Sequence, residues 1–236
     1  LRNPDTVIEP SWSLVTIRSR DDRRGVASDS DEVTLNAFIE QLRTQRFDDH
    51  RFYHHSRINQ SLHFVSAVCF IVAYALLPFD PASAALLAWG VSMTTRQAGH
   101  FFFEPRGFDQ VNGVTDAYKE EIKVGYNVRR KVVLMSAWAA VPVLLAVSPS
   151  MAGMIEPAAD LRGYLHDVGI SWLALAAGGI VLRVVQLWVE RDLTTGLVWV
   201  VKIATDPFCD AMLYWKAPFA LLRGEMLDPM HGISRR

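Results

Sequence analysis

Residues 62–79, 82–103, 131–149 and 168–190 are mostly apolar, and each approaches the roughly 20 residues that a helix needs to cross a bilayer. No other feature of the chain constrains its fold as tightly. Each stretch is closed by breakers or charge: PFDP after the first, EPRG after the second, SPS after the third and ERD after the fourth. The expectation is an all-α polytopic membrane protein. A single helical domain over 31–236 would follow a polar segment, 1–30, whose RSRDDRRGVASDSDE run crosses into the domain and reads as solvated. Residues 31–47 are expected to form an amphipathic helix capped near Ser30 or Asp31, with Val33, Phe38, Leu42 and Phe47 roughly on one face. Residues 192–204 and 208–222 are shorter and carry charge, so they read as interfacial or re-entrant helices.

Loop charge gives the bundle a direction. Arg43, Arg46, Arg51 and Arg57 precede the first span, and Arg106, Lys119, Lys123, Arg129, Arg130 and Lys131 follow the second. The C-terminal part carries Lys202, Lys216, Arg223, Arg235 and Arg236, whereas 149–167 holds only Arg162. The positive-inside rule then places both termini and the 104–131 loop in the cytoplasm, in a bacterial inner membrane or the endoplasmic reticulum. A soluble bundle with four buried helices is the alternative, and it would make this bias accidental. The formal charge of −1 and the lack of a basic stripe interleaved with aromatics argue against a nucleic-acid partner. Two cysteines, Cys69 and Cys209, exclude a CxxC metal site and give no expectation of a disulfide. No basic-then-apolar leader is visible from Leu1 onward, so no signal peptide is expected there.

The polar residues at the cytoplasmic mouth of the first two spans carry the chemistry. His54, His55, Asn59 and His63 enter the first span, and His100 and Glu104 leave the second. His100 and Glu104 are four apart, as are Asn59 and His63, and His55 and Asn59. That spacing puts each pair on one helical face about 6 Å apart along the axis. Two antiparallel helices thus bring metal-capable faces to one depth, and imidazole with carboxylate suits iron or zinc. His55 and His63 are separated by about 12 Å on a regular helix and cannot share one ion there. Either the helix starts after His55 and the preceding turn folds back, or there are two ions, or one histidine lies outside the coordination sphere. Interfacial histidines bonded to headgroups or to each other are the structural alternative.

HHSRINQSLH (54–63) and GHFFFEPR (99–106) resemble the two signature segments of the Mpo1-like family. These read H-H-x-x-x-N-x-x-x-H at the start of one membrane helix and G-H-x-x-F-E-x-R at the end of the next. The match falls on His54, His55, Asn59, His63, Gly99, His100, Phe103, Glu104 and Arg106, and it covers about residues 45–110. The chain departs from the pattern at Arg57, where the family commonly has proline, and at GFDQ (107–110), where it favours Pro-Ala-Leu. The resemblance implies an Fe(2+)-dependent dioxygenase that uses O2 to shorten long-chain 2-hydroxy fatty acids by one carbon at the bilayer. It implies His55, His63, His100 and Glu104 as catalytic residues, with His54 and Asn59 also in the metal set.

A 2-hydroxy acid can chelate a metal through its carboxylate and α-hydroxyl, and three or four protein ligands leave positions for that chelate and for oxygen. Arg96 and Arg106 flank His100 and are expected to pair with the carboxylate. Snorkelling or positive-inside anchoring is the alternative for both, and more so for Arg106. Arg183, Gln186 and Glu190, at i, i+3 and i+7, are expected to pair structurally. Asp206 and Asp210 are a possible further ligand source, although Asp206 before Pro207 reads first as a helix N-cap. His166, in an outer loop, and His231, near the end, are set aside. Two other functions stay open: a di-iron lipid hydroxylase or desaturase, for which seven scattered histidines fall short, and a non-catalytic metal-binding membrane subunit.

Overall fold

Side-chain caps mark where helices begin, among them Thr115, which accepts from Tyr118 N–H at 3.3 Å. Asp80, Asp160 and Asp192 accept hydrogen bonds from the backbone N–H of Ser83 (3.0 Å), Gly163 (2.7 Å) and Thr195 (2.7 Å). Ser56 accepts more weakly from Asn59 N–H at 3.4 Å. Each satisfies a donor that the first helical turn leaves without a partner. The structure, a computed structural model, describes residues 26–104, 107–109, 112–125 and 128–229. Its helices are α1 (Val26–Tyr53), α2 (Arg57–Leu76), α3 (Pro81–Leu87), α4 (Thr94–Phe102) and α5 (Asp116–Ile122). They continue as α6 (Val128–Val147), α7 (Leu161–Glu190), α8 (Leu193–Tyr214) and α9 (Ala217–Leu222). A π-helical segment, Ala88–Met93, joins α3 to α4. Extended pairing among the described residues is limited to two isolated bridges, so the chain is all-α.

Contacts divide the chain into a unit Leu1–Asn36 and a unit Ala37–Arg236. This division falls within α1, where Leu35 is exposed and Phe38 and Ile39 begin to be half-buried. That helix runs six residues past its expected end at 47. In the larger unit α2 packs on α3, α4, α8 and α9, while α7 packs on α3, α6 and α8.

Among the described residues, three helices are long and apolar enough to cross a membrane: Arg57–Leu76, Arg129–Val147 and Leu161–Glu190. Only 33%, 6% and 22% of their most apolar windows are buried, respectively. Val133, Val143 and Val147 on α6 and Val181, Leu182 and Val189 on α7 are exposed. The soluble-bundle alternative lacks the buried helices it requires, because apolar faces of this extent need an apolar surrounding. The expected second span, 82–103, is instead α3, the π segment and α4 in series. Thr94 and Thr95 hydroxyls donate to the carbonyls of Trp89 (3.1 Å), Val91 (2.9 Å) and Ser92 (3.0 Å), groups that the widened turn leaves less well paired.

Two further expectations are corrected. Residues 192–204 and 208–222 do not form separate short helices; α8 runs unbroken through Pro207. A proline removes one hydrogen bond from the ladder, and the packing of α8 on both α2 and α7 outweighs that loss. His166 lies in α7, which starts at Leu161, rather than in a loop. A second internal proline shows how the bundle compensates. Pro142 cannot donate to the carbonyl of Trp138, and the indole Nε1–H of Trp172 donates there instead at 3.0 Å. The Trp138 ring stacks on Trp172 at 5.1 Å and on Trp89 at 6.1 Å, joining α6, α7 and the π segment.

Candidate metal centre

The site starts from the break between α1 and α2. Asn59 Nδ2 donates to the carbonyl of Tyr53 at 2.9 Å, and Gln60 Nε2 donates to that of His54 at 2.8 Å. Two amide side chains from the first turn of α2 thereby fold the preceding residues back over it. The C-terminal segment closes the same turn from outside. Arg57 N–H donates to Met226 O (3.0 Å), Asp228 N–H to His55 O (2.8 Å), and the Arg57 guanidinium meets the Asp228 carboxylate at 2.9 Å. A proline at position 57 would have no N–H to give Met226.

The fold-back brings His54 over His63, with ring centroids 4.2 Å apart, and both face His100, at 5.4 and 4.9 Å. His54 comes from the break, His63 from α2 and His100 from the last turn of α4. Gly99 permits the approach of α2 and α4, since a Cβ there would lie 2.1 Å from Asn59 Oδ1. One ligand atom from each of His54, His63 and His100 falls within 4.8 Å of the other two.

The ring nitrogens have defined roles. His63 Nδ1 lies 3.3 Å from Asp210 Oδ2, and His100 Nδ1 lies 2.8 Å from Glu104 Oε2. Carboxylates only accept, so Nδ1 carries the proton in each ring and Nε2 keeps its lone pair. That arrangement, with a carboxylate orienting a ligating imidazole, suits a metal site. His63 Nε2 and both ring nitrogens of His54 are buried and have no hydrogen-bond partner among the described residues. Unpaired buried nitrogens are costly unless something accepts their lone pairs, and a cation does so. Burial, followed by the neighbouring His63, holds His54 well below the usual histidine range, so it is neutral and able to ligate.

Several expected site residues lie elsewhere. His55 points away: its Nε2 is 3.4 Å from Asp109 Oδ2 and 3.1 Å from Asn112 Nδ2, so it is not brought to the cluster. The expected His55–Asn59–His63 face does not form, because His55 precedes α2. Asn59 serves as the clamp on Tyr53. Glu104 lies past the end of α4 and reaches back to His100 while pairing with Lys123 at 3.1 Å. Arg96 is held by Asp210 at 2.8 Å and Asp206 at 3.7 Å. Asp206 is inside α8 rather than an N-cap, and it binds Lys202 at 2.6 Å. Arg106 and His231 lie outside the described residues. Arg183 pairs with Glu190 at 3.3 Å and donates to Val124 O at 2.6 Å, which is the structural role expected of it.

The sequence reading missed His50, Tyr214, Asp49 and Lys202. His50 Nδ1 and the Tyr214 hydroxyl share a hydrogen bond, and both rings border His54, each with its centroid 5.8 Å away. His50 was legible as a fourth histidine one turn before His54; Tyr214, 164 residues from His50, was not. Burial would raise the Asp49 carboxyl, but Lys202 and the surrounding histidines outweigh it and hold the group well below its usual value.

A cavity of about 750 Å³ opens beside the cluster. Its wall includes His100, Arg96, Lys123, Lys131 and Lys202 together with apolar side chains such as Phe70, Leu77, Trp89, Leu134, Leu173 and Ile180. Its volume is within the range of about 300–1,000 Å³ common to small-molecule sites. No protein-family model matches the chain, and neither a curated protein nor a solved structure does.

Proposed function

We propose that the protein is an integral membrane, iron(II)-dependent dioxygenase that shortens long-chain 2-hydroxy fatty acids by one carbon. The observation that carries this reading is a cluster of three imidazoles, His54, His63 and His100, beside a largely apolar cavity, with ring nitrogens of His54 and His63 buried and unpartnered among the described residues. These three residues would hold the ion, and Glu104 and Asp210 would orient two of them. Iron(II) there supplies adjacent open positions for a chelating 2-hydroxy acid and for dioxygen. Three neutral ligands also favour an anionic fourth, as a substrate carboxylate provides. The chain's own contribution is orientation and dryness: the cavity wall keeps the acyl chain out of water, and the fixed rings set the reacting carbon. The loop charges support a site on the cytoplasmic side of the bilayer, where an amphiphile would keep its tail in lipid.

One gathered cluster also favours this reading over a di-iron hydroxylase, since among the described residues a single group of three metal-capable side chains forms. The test is metal analysis of the purified protein followed by oxygen uptake with 2-hydroxyhexadecanoate. One iron per chain, oxygen consumption and a product one carbon shorter are expected. A newly hydroxylated chain of full length would support the hydroxylase instead. Bound iron with no turnover would support a non-catalytic subunit.

A further inference from the structure

Most of the positive charge on the cavity wall is already answered. Arg96 is paired with Asp210 and Asp206, Lys202 with Asp206 at 2.6 Å and Asp49 at 3.1 Å, and Lys123 with Glu104 at 3.1 Å and Glu120 at 3.3 Å. Lys131 also lines the cavity, half-buried, and makes no hydrogen bond or ion pair among the described residues. It sits near the start of α6, and Leu134 and Met135, one turn on, line the same cavity. One face of α6 therefore presents an ammonium followed by apolar side chains. The Glu104 and Asp49 carboxylates act on it only from beyond ion-pair distance, so a partly buried ammonium is left without a contacting anion, a cost that an anionic ligand removes.

The shape of the cavity supplies the rest of the ligand. Along the helical run from α3 to α4 it is lined at intervals from Ala84 to His100, a rise of about 24 Å. An extended single chain fits such a length. We propose that Lys131 is the residue that selects the headgroup: the cavity takes a long-chain monocarboxylate with its carboxylate on the Lys131 ammonium, near His100, and its chain running towards Ala84. Arg96, held by two aspartates, does not fill that role. The proposal rests on the fatty-acid reading above for the carboxylate, but it concerns binding and holds whether or not the bound acid is turned over.

The test compares hexadecanoate with hexadecanol, as radiolabelled probes, for equilibrium binding to the full chain in uncharged detergent. The wild type should prefer the acid. Lys131→Gln should weaken acid binding by about 10- to 100-fold, the worth of a charge-assisted contact, and leave the alcohol unchanged. Lys131→Arg should keep the preference. Lys131→Met, an apolar residue suited to this helix, serves as a second variant if Lys131→Gln does not fold, with the melting temperature as the check. Equal binding of acid and alcohol by the wild type would overturn the proposal, as would an undiminished preference in Lys131→Gln or Lys131→Met. Competition by phosphatidylglycerol would also overturn it, because the occupant would then be a two-chain phospholipid. Lysine-dependent acid binding without turnover of 2-hydroxyhexadecanoate by the iron-loaded protein would uphold this inference and sink the oxygenase. Turnover by Lys131→Gln with unchanged KM would do the reverse.

Discussion

His54→Ala should strip the metal from the purified protein, whereas His55→Ala should leave the metal content close to that of wild type. Losing a ligand should weaken affinity by more than the roughly 10- to 100-fold that follows loss of an outer partner. Chelator competition with metal analysis checks it, and equal loss in the two variants would refute the assignment. The histidines are neighbours in sequence, and only the folded turn separates their roles. His63, His100 and the His100–Glu104 pair were legible from spacing alone. The choice between His54 and His55 was not, because it depends on partners such as Asn112 and Asp228, which lie 57 and 168 residues from His55 and Gln60, respectively. Asp210 was legible as a candidate beside the site, but its contact with His63, 147 residues away, was not.

Gly99→Ala should destabilise the α2–α4 contact, since the added methyl would meet Asn59 Oδ1 at 2.1 Å. Overpacking of this kind costs about 1–3 kcal/mol, and a lowered melting temperature in detergent together with reduced metal content is the expected result. Trp172→Phe should also destabilise, by about 1 kcal/mol, because it leaves the carbonyl of Trp138, at a partly buried site, without that donor. Metal content should survive that change if the protein folds, as Trp172 is not among the residues of the cluster. Helix existence was legible because length and hydropathy leave few other options for such segments. Continuity was less so: the sequence suggested a break at Pro207, but tertiary contact from α2 and α7 carries α8 through it. The π turn in the second run left no signal, since its cause lies in what packs around it.

For the whole molecule, the charge bias makes a prediction about sides. In a background with Cys69 and Cys209 replaced, Glu121→Cys should react with an impermeant thiol reagent only from the cytoplasmic face, and Glu156→Cys only from the opposite one. Labelling of both from one face would reject the bilayer arrangement. The outward apolar faces of α6 and α7 were legible as hydropathy, whereas the cavity was not, because it is lined from several helices that only the folded bundle brings together. The clamp between the turn at Ser56 and the segment around Asp228 has a consequence in time. Gln60 reaches the carbonyl of His54 within its own turn, but its outer partner, the Asp228 carboxylate, is synthesised 168 residues later. At a ribosomal pace of about 5–20 residues per second, that delay is on the order of ten to thirty seconds. During translation the histidine turn therefore lacks its outer strap, and until residue 228 has been made the Gln60 amide holds the turn only through the carbonyl of His54.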